Sequence, residues 1–182
     1  TFIDPVSPYG YGGTRGADGT PTWPDFAGSG GGTGNPEFAQ RIADGDTTTD
    51  SDLSPLSVMR AFYWSPTFTV DPEWETALVD DVLLSETGDD GYPGDLTTSD
   101  NWPTVAPGTR GILNALSGKY CNWSEIVDID PKPPVLWTHG TNDLVVADGS
   151  PWEMGTLGQL GLVPGWPGED VYPPQPMVTQ IR

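Results

Sequence analysis

Glycine and proline, 24 and 20 of the 182 residues, restrict this chain's fold more than any other feature of its sequence. Glycine inside a helix or strand forfeits backbone entropy, and proline removes a donor from either ladder. Regular elements must therefore be short. The stretch AGSGGGTG (27–34) cannot stay helical or extended for more than a few residues. An apolar fraction of 35% is low for a globular protein, and the glycine plus proline content approaches the range of disordered chains. Eight Trp, six Tyr and five Phe argue against disorder, because each can bury a large area against its neighbours. The expectation is a loop-rich but ordered chain in which glycine and proline fix irregular backbone.

Charge narrows the function classes. Seven Lys plus Arg stand against 26 Asp plus Glu, a formal net charge of −19. Such a field repels nucleic acid and anionic lipid, so neither is an expected partner. No apolar run approaches the roughly 18 residues of a membrane span, and the reading is a soluble chain, cytoplasmic sooner than secreted. The single Cys121 allows no internal disulfide and leaves the redox compartment open.

Residues 2–6 read as a short strand closed by Pro5 and Pro8. NPEFAQRIADGD predicts a short helix with Asn35 as cap, Pro36 in the first turn, and Phe38 and Ile42 four apart. SPLSVMRAFYWSP predicts a second, with Leu56, Met59, Ala61 and Tyr63 near one face and Pro66 ending it. DPEWETALVDDVLLSETG is the clearest helix: Pro72 and Glu73 open it, Trp74, Leu78, Val82 and Leu83 form its stripe, and Gly88 closes it. RGILNALSGKY adds a short helix, and Val135–Thr138 reads as a second, buried strand. TFIDPVSPYG starts on an apolar β-like run, and PPQPMVTQIR enters a helix-like pattern at Met177, Val178 and Ile181. These ends are expected to belong to a larger fold.

The motif richest in chemistry is PPVLWTHGTNDLVV: an apolar run, a break at Gly140, then Asp143. In an open parallel sheet, functional groups sit just beyond the carboxyl ends of strands. An aspartate there can fix the tautomer of a general-base histidine and stabilise its imidazolium. An Asx-turn with no chemistry is the competing reading.

PKPPVLWTHGTNDLVV resembles the penultimate strand and acid turn of the α/β-hydrolase fold family, and TFIDPVSPYGYGGT resembles the strand after which that family's chain leaves the sheet to build a cap. The resemblance implies an α/β fold, a partial α/β-hydrolase with a loop-rich, mostly helical cap, incomplete without a complementary segment. It divides the chain into a core strand (1–8), a cap insertion (9–130) and a second core strand with acid turn and the start of the next helix (131–182). It implies hydrolysis of an ester, lactone or amide through a serine ester, with Asp143 as the triad acid and Asp4 as its rival. No cofactor and no metal are implied. The partner implied is the complementary N-terminal segment of the same enzyme, and the substrate a small apolar or aromatic molecule. Tyr9, Tyr11, Tyr63, Trp64 and Trp152 are the candidates to contact it.

The family's nucleophile elbow, G-x-S-x-G, is absent; AGSGG around Ser29 has the wrong spacing. His139, the sole histidine, lies four residues before Asp143 at a position the family fills structurally. Nucleophile and base are therefore expected on other polypeptide, and these residues alone should be inactive and poorly folded. Two other readings stay open. Thr1 could act as an N-terminal nucleophile of an amidohydrolase, using its own α-amine as base. Asp44, Asp46, Asp50 and Asp52 alternate as if for calcium in a non-enzymatic binding module, but lack the mid-loop Gly and terminal Glu of an EF-hand loop.

Overall fold

Hydrogen bonds rather than long ladders hold the chain together. In the computed structural model, which describes all 182 residues, 46 of the 74 backbone–backbone hydrogen bonds lie in turns, loops and caps. The strands are β1 (Phe2–Ile3), β2 (Thr14–Arg15), β3 (Thr20–Pro21), β4 (Thr87–Gly88), β5 (Tyr92–Pro93), β6 (Leu96–Thr98), β7 (Val105–Pro107) and β8 (Trp137–Thr138). The helices are α1 (Pro36–Ala43), α2 (Pro55–Phe62), α3 (Pro72–Leu83), α4 (Ile112–Leu116), α5 (Met154–Gln159) and α6 (Met177–Ile181). The strands form two-stranded ladders only: β1–β8 and β4–β5 parallel, β2–β3 and β6–β7 antiparallel. The fold is thus mixed, helices with small sheets, and no helix is long and apolar enough to cross a membrane.

Local chemistry explains the helices. Asn35 Oδ1 accepts from the amides of Glu37 and Phe38, and Asp71 Oδ1 from that of Glu73, with proline at the first position of α1, α2 and α3. The expected faces needed correction. Along α3 only Val79 is buried, while Trp74 (69% exposed) and Leu78 (39%) face outward. The helix packs on α1 and α2 with its other side, and Gly88 belongs to β4 rather than to a helix end. On α2 the buried face is Pro55, Val58 and Met59, whereas Ala61 and Tyr63 are exposed.

The region 9–130, expected to be mostly helical, also carries the ladders β2–β3, β4–β5 and β6–β7. β8 is shorter than the expected strand, and Val135 and Leu136 are exposed rather than buried. After the acid turn, no helix begins before Met154.

Eleven hydrophobic residues are buried, among them Ile42, Met59, Tyr172 and Met177, but so are eleven polar ones. The polar set replaces a large apolar core. Gln175, wholly buried, accepts from the Gly12 amide at 2.6 Å and donates to Gly10 O and Thr14 Oγ1. Gln180 Oε1 accepts from Ser7 Oγ (2.6 Å) and from Gln175. Buried polar groups need partners, and these bonds stitch residues 7–16 to 175–180. Tyr172 hydroxyl donates to Ala27 O at 3.0 Å. A Cβ on Gly28 (φ +87°) would lie 2.0 Å from that hydroxyl, so only glycine fits there. The segment read as cap and the segment read as core thus share one hydrogen-bonded interior.

Burial pushes the Tyr11 and Tyr172 phenols well above the ordinary value of 10.0. A raised phenol pKa means that the native state holds its proton more tightly than the unfolded chain. The stabilisation is complete below about pH 10 and declines as pH rises toward the folded values. We expect Tm to be flat near pH 9 and to fall above pH 10, with Tyr172→Phe showing a shallower fall in a pH-resolved thermal melt.

Candidate functional site

The pair β1–β8 positions the chemistry. Phe2 N–H donates to Leu136 O at 2.8 Å and Asp4 N–H to Thr138 O at 3.0 Å, which sets Phe2 beside Trp137 and Ile3 beside Thr138. Both strands then turn at their carboxyl ends. Asp4 does so with φ +41°, an uncommon conformation that aspartate tolerates. Its Oδ1 accepts the Gly140 amide at 2.7 Å, a bond across 136 residues.

Beyond Gly140 the chain folds back, the Asp143 amide donating to Gly140 O at 3.1 Å. Asp143 Oδ1 accepts from the Val145 and Val146 amides at 2.8 and 3.0 Å, and buried Val146 anchors the turn. The Asx-turn and the presentation of a carboxylate are therefore one structure: one oxygen braces the turn, and no protein group donates to the other.

His139 completes the group. Its ring lies against Trp137, centroids 5.8 Å apart, and its Nδ1 is 3.2 Å from Asp4 Oδ1. That approach is off the N–H direction, so Nδ1 is buried without a hydrogen bond. Ligand atoms of Asp4, His139 and Asp143 lie within 4.8 Å of one another. His139 and Asp143 border a cleft of about 530 Å³, lined also by Trp137, Gly140, Asp148 and Arg182 among others. Asp148 accepts from the Thr179 amide and hydroxyl at 3.0 and 2.7 Å, so α6 is held as the far wall.

None of the five aromatic candidates lines this cleft. Tyr9 packs over Gly19, where a Cβ would lie 1.9 Å from its ring. Tyr11 backs the acid turn from inside: its hydroxyl is 2.9 Å from Ser150 Oγ, which donates to Leu144 O. Burial, and then the charges of Glu153 and Asp143, keep that phenol protonated. Trp152 meets Phe62 edge to face at 4.6 Å with its indole N–H buried and unpaired. Asn142 Nδ2 donates to Ser65 Oγ at 2.9 Å and so ties the acid turn to the segment holding Tyr63, 54% exposed, and half-buried Trp64.

The remaining candidates lie elsewhere. Thr1 is exposed and outside the cleft. Ser29 is buried and donates to Phe26 O. In the acidic loop, Arg41 Nη1 contacts Asp46 at 2.6 Å and Asp50 at 3.0 Å, and Gln40 donates to Asp44. Thr48 and then Arg41 hold the Asp46 carboxyl down to about 2. The cation these carboxylates face is one the chain supplies itself, and Asp52 remains in solvent.

What sequence reasoning missed is the convergence of Asp4, His139 and Asp143, each weighed separately. The signal available was that two strands read as neighbours in a parallel sheet would bring Asp-Pro after one beside His-Gly after the other. Searches of protein-family models, curated proteins and solved structures return no match to this chain.

Proposed function

We propose that these residues are the cap and acid portion of a serine-type α/β hydrolase, acting on an ester, lactone or amide with a small apolar or aromatic group. The observation that carries the reading is Asp143: a carboxylate beyond the carboxyl end of a parallel strand pair, beside a cleft, with one oxygen clamped by two backbone amides. A carboxylate so fixed can accept an imidazole N–H on its other oxygen and stabilise the imidazolium formed as a serine attacks. Asp143 is then the triad acid. Trp137, which lines the cleft, is the aromatic surface for the substrate's apolar part, and the Asn142–Ser65 bond ties the turn to the segment that carries Tyr63 and Trp64.

The nucleophile, the base and the oxyanion donors would come from further polypeptide, because no G-x-S-x-G occurs here. Two features support such a partner. Parallel strands are normally covered on both faces, yet Ile3 is 75% exposed, Val135 58% and Leu136 59%. An apolar groove of about 250 Å³ also runs along the pair, between Phe2, Trp123, Ile126, Val135 and Trp137. Further strands and a helix of the same enzyme are the occupant that both the backbone edge and the apolar face would fit.

The test is a serine-reactive fluorophosphonate applied to the natural protein, followed by peptide mapping. One labelled serine, in a G-x-S-x-G context outside these 182 residues but in the same chain or complex, is expected. Absence of any labelled serine, or a label within residues 1–182, would overturn the reading. A self-associated chain without a companion segment would show instead that the groove is filled by a second copy.

A further inference from the structure

We propose that Asp4, His139 and Asp143 form a binding site for one divalent transition-metal ion of the zinc class, at the carboxyl ends of β1 and β8. Three observations carry this. First, the donors are an imidazole nitrogen and two carboxylates gathered within 4.8 Å. Around a tetrahedral zinc, with bonds near 2.1 Å, neighbouring ligand atoms stand roughly 3.4 Å apart. Asp4, with a side chain 45% exposed, is the least confined of the three and the one with room to move toward an ion.

Second, both carboxylates are already oriented. Asp4 uses Oδ1 on the Gly140 amide and Asp143 uses Oδ1 on two amides, so each has an oxygen to spare. Ligating carboxylates in metal sites are held in this way by outer hydrogen bonds.

Third, His139 Nδ1 is a buried polar atom without a hydrogen bond, 3.2 Å from Asp4 Oδ1. Its side chain keeps only 14% of its exposure, and the Trp137 ring lies beside it. An unsatisfied buried nitrogen is costly. A cation shared with the two carboxylates satisfies it and neutralises their repulsion.

An imidazole donor favours zinc-class ions over calcium or magnesium, which prefer all-oxygen sites. Three protein donors leave a coordination position for water or for a ligand in the cleft.

Binding itself does not depend on the hydrolase reading, but its consequence does. An ion on the free oxygen of Asp143 withholds that oxygen from a triad histidine, so zinc would inhibit the assembled enzyme by lowering kcat.

The experiment is calorimetric titration of the protein with zinc chloride, together with NMR of the imidazole, which is unambiguous because His139 is the sole histidine. One equivalent should bind and shift the imidazole signals. His139→Gln and Asp4→Asn should each weaken binding about tenfold or more, whereas Cys121→Ser should not. No saturable binding, an unshifted imidazole, equal affinity in His139→Gln, or loss of binding in Cys121→Ser would each overturn the proposal. The imidazole shift in the unaltered protein decides the matter even if a variant folds badly. A negative result leaves fluorophosphonate labelling untouched, so the two readings fail separately.

Discussion

Under the proposed hydrolase reading, Asp143→Asn should slow the assembled enzyme by about 10⁴-fold in kcat while leaving its melting temperature close to that of the parent. The asparagine keeps a carbonyl oxygen for the Val145 and Val146 amides, which are the bonds that shape the turn. It replaces the free carboxylate oxygen by an amide NH₂. That group cannot accept the imidazole N–H, so the histidine is held in the wrong tautomer and its developing charge goes unmatched. Tenfold in rate is about 1.36 kcal/mol, so the loss corresponds to roughly 5.4 kcal/mol of transition-state stabilisation. A merely structural aspartate would give the reverse pattern, a lowered melting temperature with kcat intact. Steady-state kinetics beside a thermal melt therefore separate the roles. Turnover within a few-fold of the parent would remove Asp143 from the triad. If Asp4→Asn were instead the slow variant, the acid would be the one after β1, whose Oδ1 accepts the Gly140 amide.

The parts of this molecule legible in sequence are those whose cause is local. Asn35-Pro36 and Asp71-Pro72 announce helices because the cap and the first-turn proline act within three residues, and both helices start there. The acid turn was legible for the same reason: Gly140 breaks the strand, and Asp143 bonds amides two and three residues on. Helix faces were less legible. Periodicity shows that α3 has an apolar stripe but not which neighbour will cover it, so Trp74 and Leu78 came out exposed. Strands of two or three residues carry no readable period. Least legible were the buried polar residues. Gln175 and Gln180 sit in a segment whose readable signal is only a helix-like apolar pattern, yet they bond glycine backbone and hydroxyl groups more than 160 residues away. The same separation hid the approach of Asp4 to His139 and Gly140.

Asn114→Leu, the second large effect, should move stability and leave chemistry alone. Asn114 is 1% exposed at the point where the glycine-rich segment, β7 and α4 meet. Its Oδ1 accepts the amides of Gly31 (2.9 Å) and Gly108 (3.0 Å), and its Nδ2 donates to the carbonyls of Asp95 and Arg110. Leucine has a similar volume but answers none of them. Each buried donor left without a partner costs about 1–3 kcal/mol, so two stranded amides imply a loss of about 4 kcal/mol. Whole domains have only about 5–15 kcal/mol to lose. The urea midpoint should therefore fall steeply with little change in slope. Asn114→Asp should retain part of the loss, because it keeps the acceptor for Gly31 and Gly108 while surrendering the donor and burying a charge beside Asp95. Asn114 does not line the cleft beside Asp143, so under the proposed hydrolase reading the fraction of Asn114→Leu that stays folded should turn over at the parental kcat. A loss below about 1 kcal/mol would mean that the loops here are held by the glycine and proline backbone itself, with Asn114 filling space rather than organising it.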